Sequence, residues 1–158
     1  MGAVQIHKGG FVTLDNDNAR LRDYGLTVLR IVFGVIIIGH GYLKFFKMGI
    51  GGTTGFMGSI GVPLPAVAAW FTALAETVGG VALILGIFTL PFGIALALDL
   101  AGAIWFAKRG SGLISPNGYE LELSLLAVSL AIALAGPGSP SLHAMLRRNR
   151  STPVTGEG

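Results

Sequence analysis

The chain has 158 residues, 52% of them hydrophobic and 12% charged, with no cysteine and a mean hydropathy of +0.71, whereas soluble domains carry about 25% charged residues. This balance excludes an ordinary soluble domain, and the lack of cysteine excludes disulfides, thiol redox chemistry and iron–sulfur ligation by this chain alone. The net charge of +3 comes from Lys and Arg at the ends of apolar stretches, not from one basic stripe, so the expected contact is with anionic lipid headgroups and not with nucleic acid.

Residues 1–23, MGAVQIHKGGFVTLDNDNARLRD, mix both charge signs and lack an apolar core followed by a small-residue cleavage site. They read as a cytoplasmic N-terminal segment and not as a secretory signal. The first apolar run, Tyr24 to Phe46, reads as a membrane span that also serves as the insertion signal, with Asp23 as its helix cap. It carries Arg30, His40 and Lys44. At about 100° per residue, Arg30, Gly34, Gly41 and Lys44 share one face, with His40 at its edge and also expected to point inward.

The following stretch, GIGGTTGFMGSIGVPLP, reads either as a flexible connection or as a half-inserted or interfacial segment. Phe56, Met57 and Ile60 favour insertion, since apolar groups need cover, and irregular backbone at membrane depth needs protein or a wet cavity around it. The second span, Ala66 to Leu90, is opened by Pro65 and places Glu76 on one face with Ala69, Thr72, Ala73, Gly79 and Gly80. In the third, Pro91 to Ala107, Asp99 shares its face with Ala95, Gly102 and Ala103. Asn117 and Gly118 turn into the fourth, Tyr119 to Ala135, where Glu120 shares a face with Ser124, Ala127 and Ala131, and Glu122 points elsewhere. The third and fourth runs are near the lower limit of length for a span. GPGSPS ends the last helix, and residues 143–158 read as a basic, then disordered, cytoplasmic tail.

Charged groups in lipid are costly and face a bundle interior or a wet cavity, while small residues let membrane helices approach closely. Small and charged faces coincide on all four runs. The expected fold is therefore all-α, an integral-membrane four-helix transmembrane bundle over residues 24–142 with the charges inside. Six basic residues on the terminal side against four on the other put both termini in the cytoplasm, across a plasma (inner) membrane.

Depth pairs Lys44 with Glu120, and Arg30 with Asp99 or Glu76, as structural ion pairs. Such pairs can serve only to fix which helix faces which. Glu76 lies too deep to snorkel and is expected to lack a full-time cationic partner, and His40 titrates near neutrality, so these two are the candidates for proton exchange in catalysis. His40, Lys44, Glu76, Tyr119 and Glu120 form the candidate ligand-binding set. No metal is expected, since one intramembrane histidine with scattered carboxylates lacks a spacing such as H-E-x-x-H. No covalently bound cofactor is expected either. The polar pocket could hydrogen-bond the carbonyls of a quinone, or admit a proton with a small solute, and the residues leave both open.

The first span, LRIVFGVIIIGHGYLKFF, resembles the DoxX family of small four-span membrane proteins through Arg30, Gly34, His40, Gly41 and Lys44. GVPLP followed by ETVGGVALILGIFT, then GYELELSLLA and GPGSPSL, resemble its later helices in the same order. Asp99 departs from the family pattern, where an apolar residue is more frequent, and so does His143. The resemblance implies a membrane subunit of an oxidoreductase complex, linked to thiosulfate or sulfur chemistry or to oxidative stress, with a quinone as ligand and soluble redox proteins or further copies of the chain as partners. A proton-coupled solute carrier and a scaffold without chemistry are the alternatives.

Overall fold

The structure, a computed structural model, describes residues 11–145. The expected tail from Arg147 onward and the basic residue Lys8 lie outside these residues. Among the described residues the chain forms five α-helices: α1 (Phe11–Tyr42), α2 (Gly49–Ser59), α3 (Pro65–Leu85), α4 (Thr89–Gly102) and α5 (Glu120–Ala135). One wide π-helical turn, Leu43–Lys47, prolongs α1, and another, Ala103–Ala107, prolongs α4.

Among the described residues three stretches are long and apolar enough to cross a membrane: Asp17–Lys47, Pro65–Leu85 and Thr89–Ala107. At 16 residues, α5 falls short of the roughly 20 that a span ordinarily takes. The surface outside the core is apolar, with Val35, Val78, Leu98 and Leu134 exposed. A membrane protein, with lipid as solvent for that surface, accounts for this pattern.

Turn chemistry acts mostly where the residues place it. Pro65 occupies the first turn of α3, Gly86 ends that helix in the left-handed region at φ 70°, and Gly136 ends α5. The expected cap at Asp23 is not a cap, because α1 already begins at Phe11. The glycine-rich stretch is not a flexible connection but the helix α2, packed on α3.

Helix α1 packs on α3, α3 on α4 and α4 on α5, with a smaller contact between α5 and α1. Small residues set the closest crossings. A Cβ at Gly34 would lie 2.8 Å from the Gly80 carbonyl, and one at Gly80 would lie 2.9 Å from the Gly34 carbonyl. At the α4–α5 crossing a Cβ at Gly93 would meet Ala133 at 2.8 Å, and the buried Ser129 hydroxyl donates to the Gly93 carbonyl at 2.7 Å. Phe33, Ile37, Leu83, Leu96, Leu100, Leu125 and Ile132 fill the space between these contacts.

The inward faces of α1 and α3 are those that the spacing predicts: Arg30, Gly34 and Gly41, then Ala69, Thr72, Ala73, Glu76, Gly79 and Gly80, are buried. The fifth helix reverses the expectation. Glu120, Ser124, Ala127 and Ala131 are exposed, and Leu125, Ser129, Ile132 and Ala133 are buried. Ser129 lies about 180° around the helix from Glu120. Beyond its first turn this helix is almost wholly apolar, so its rotation is set by the Ser129 to Gly93 contact and not by its own periodicity.

Candidate functional site

Lys44, Glu76 and Asp99 come together from three helices. The Lys44 ammonium donates to Glu76 Oε1 at 2.7 Å and lies 4.0 Å from Asp99 Oδ2. Glu76 is 4% exposed and Asp99 9%. Glu76 sits near the middle of α3 and Asp99 three residues before the end of α4, and Lys44, on the π turn Leu43–Lys47, reaches them from the inward face of the first helix. Single wide turns of this kind recur at functional sites. Close approach of α1 and α3 beside the pair depends on Gly41, where a Cβ would collide with the Thr77 hydroxyl and sit 3.3 Å from Glu76 Cβ.

Two expected ion pairs are therefore corrected. Lys44 does not pair with Glu120, because its ammonium is taken by Glu76, and the start of α5 lies beside the end of α4, where Lys108 meets Glu122 at 3.5 Å. Arg30 pairs with neither Asp99 nor Glu76. It is 2% exposed and donates to the carbonyls of Pro137 and Pro140 in the segment that follows α5. The reason is distance along α1: Arg30 lies 14 residues before Lys44, about 21 Å at the helical rise. Glu76 likewise does have a close cationic partner, contrary to the expectation of a carboxylate left to itself.

His40 is exposed on α1 and not inward, and it makes no hydrogen bond or ion pair among the described residues. Tyr119 is half-buried at the start of α5 and Glu120 is exposed. The structure thus groups Lys44 and Glu76 with Asp99 and leaves His40, Tyr119 and Glu120 outside the cluster.

Beside the cluster is a cavity of about 460 Å³. Lys44 and Asp99 stand on its wall, and the rest is chiefly apolar: Met48 beyond α1, Phe56 and Met57 of α2, Ile60 just after it, Phe71 of α3, Leu98 of α4 and Phe106 of the second π turn. The need of Phe56, Met57 and Ile60 for cover was legible in the sequence, and this cavity is where they are directed. Phe71, Leu98 and Phe106 carried no such signal. The buried Thr53 hydroxyl donates to the Gly49 carbonyl at 3.0 Å and the Lys44 carbonyl at 3.4 Å, tying α2 to the turn that carries Lys44. Leu98 is 64% exposed, and Phe56 and Phe71 are also exposed in part. The mouth of the cavity therefore opens on the apolar flank of the molecule.

Chemically, the wall offers a hydrogen-bond donor in Lys44 and a carboxyl group in Asp99, with a second carboxyl, Glu76, behind them. Glu76 Oε2 and the Thr77 hydroxyl are buried without a partner. No group of three or more potential metal ligands occurs among the described residues.

The family model described as DoxX matches residues 25–109. The chain is 37% identical over 114 residues to the "Putative oxidoreductase CatD" of Bacillus subtilis (strain 168), covering 72% of this chain and 81% of that protein. It is 36% identical over 132 residues to an uncharacterised protein of Haemophilus influenzae, covering 80% and 94%. To the inner membrane protein YphA of Escherichia coli (strain K12) it is 30% identical over 124 residues, covering 74% and 86%. No solved structure matches.

Proposed function

The chain belongs to the DoxX family, and from that premise we propose that it is a quinone-interacting membrane subunit that works beside soluble redox proteins. The observation that carries this reading is the cavity: about 460 Å³, mainly apolar, open on the lipid-facing flank, with Lys44 and Asp99 at one place on its wall. Small-ligand sites commonly measure about 300–1,000 Å³ and combine apolar lining with a few placed polar groups. An apolar ring with oxygen substituents fits that description, and a flank opening admits it from the bilayer. The name of the CatD relative, an oxidoreductase, agrees with it.

A bound quinone would supply two-electron, two-proton chemistry. Lys44 would orient one ring oxygen by donating a hydrogen bond, Asp99 would hold or release a proton at its carboxyl, and Glu76 would keep Lys44 in place and exchange protons with Asp99. The chain has no cysteine, so electrons would come from a partner protein. In this reading α5 is the fourth crossing and both termini are cytoplasmic, which puts the cavity in the outer half of the bilayer.

The test is binding of a short-tail benzoquinone to the purified chain in lipid nanodiscs. Saturable binding that falls at least tenfold in Lys44→Met supports the proposal. Absence of binding would overturn it, and uptake of a small solute into liposomes by the same preparation without quinone binding would replace it with the carrier reading.

A further inference from the structure

Within the quinone site just proposed, the spacing of Lys44 and Asp99 points to a discrimination between two forms of the ligand. The ammonium and Asp99 Oδ2 are 4.0 Å apart, too far for a hydrogen bond, whose N–O distance is about 2.7–3.2 Å. One oxygen atom about 2.8 Å from each fits between them. Both groups face the cavity, and Lys44 keeps its remaining donors after the bond to Glu76. We propose that the gap between Lys44 and Asp99 is a seat for a hydroxyl group, and that the cavity therefore prefers a lipid-soluble phenol or hydroquinone to the matching carbonyl-only quinone.

A hydroxyl oxygen both accepts and donates. Seated in the gap, it accepts from the Lys44 ammonium and gives its own hydrogen to the Asp99 carboxylate. When Asp99 is ionised, the state in which it can take the proton of a hydroquinone, a quinone carbonyl can accept from Lys44 but has nothing to give Asp99. Its oxygen would face the carboxylate lone pairs across the same gap, leaving a buried acceptor unmet, and an unmet buried acceptor is penalised more heavily than a made bond is rewarded. Asp99 thereby becomes a specificity-determining residue, not only a structural counter-charge.

The experiment compares dissociation constants of a decyl-substituted benzohydroquinone and the matching benzoquinone for the full chain in nanodiscs, measured anaerobically. The expected result is hydroquinone binding about tenfold tighter or more, the scale of one hydrogen bond to a charged group. Asp99→Asn keeps the shape but presents either a donor or an acceptor, and should bring the ratio towards one, mainly by weakening the hydroquinone. Equal affinities in the parent chain would overturn the hydroxyl seat while leaving the quinone site standing. Failure of both forms to bind would overturn the seat and the proposed function together. An Asp99→Asn variant that binds with the parent ratio would also overturn it, whereas the parent comparison stands by itself if that variant does not fold.

Discussion

Glu76 and Asp99 share the Lys44 ammonium unequally, at 2.7 and 4.0 Å, and the inequality ranks the substitutions. Glu76→Ala leaves a half-buried ammonium with only a distant partner, so it should lose about 3–5 kcal/mol, the range for breaking a buried pair. Asp99→Ala keeps the close pair and should lose less, about 1–3 kcal/mol. Denaturant unfolding in detergent micelles measures both, and a larger loss for Asp99→Ala would reverse the assignment of the primary pair. At the other end of α1, Arg30 bonds two backbone carbonyls and no carboxylate. Arg30→Ala should therefore cost about 2 kcal/mol or more, and its effect should add to that of Asp99→Ala within about 0.5 kcal/mol, as for sites without a shared partner. A coupling energy well above that would mean that the two residues interact after all.

Helix crossings give a prediction of opposite signs for the same substitution. A methyl at Gly80 would lie 2.6 Å from Ile38 and 2.9 Å from the Gly34 backbone. The α1–α3 crossing must then widen, and Gly80→Ala should lose about 1–3 kcal/mol. Gly39, on the same α1 helix, has open space around it, and Gly39→Ala should gain up to about 1 kcal/mol from helix propensity. Gly51 and Gly55 in α2 are similarly open and should respond as Gly39 does. Melting temperatures of the Gly80 and Gly39 variants that move in the same direction would show that propensity and not close approach governs position 80.

The whole molecule has one orientation and one number of crossings, and both can be read with an impermeant thiol reagent, since the chain contains no cysteine to interfere. Asn18, Ser59, Asn117 and His143 are exposed. Single cysteines at Ser59 and Asn117 should label from outside the cell, and those at Asn18 and His143 only after the membrane is opened. Labelling of position 143 together with 59 and 117 would mean that α5 does not cross. Labelling of position 18 from outside would invert the orientation.

Composition and hydropathy were enough to place this chain in a membrane, because a surface made of Val, Leu and Phe has no other stable solvent. Periodicity was enough to turn α3, and to turn α1 for Arg30, Gly34 and Gly41 though not for His40 at the edge of that face, since small residues and charges fall on one side and only that side can be buried without cost. It failed for α5, where the face of Glu120, Ser124, Ala127 and Ala131 turns outward: beyond its first turn the helix is almost wholly apolar, and its inward face was decided by Ser129 meeting Gly93. The members of the cluster were likewise legible as costly charges at membrane depth, but their pairing was not. Lys44 reaches Glu76 and Asp99 and not Glu120 because α1 packs on α3 while α5 lies against α4, and both follow from packing between segments far apart in the chain. The cavity is of the same kind: its walls come from α2, α3, α4 and the two wide turns, and a volume bounded by several helices exists only once they are assembled.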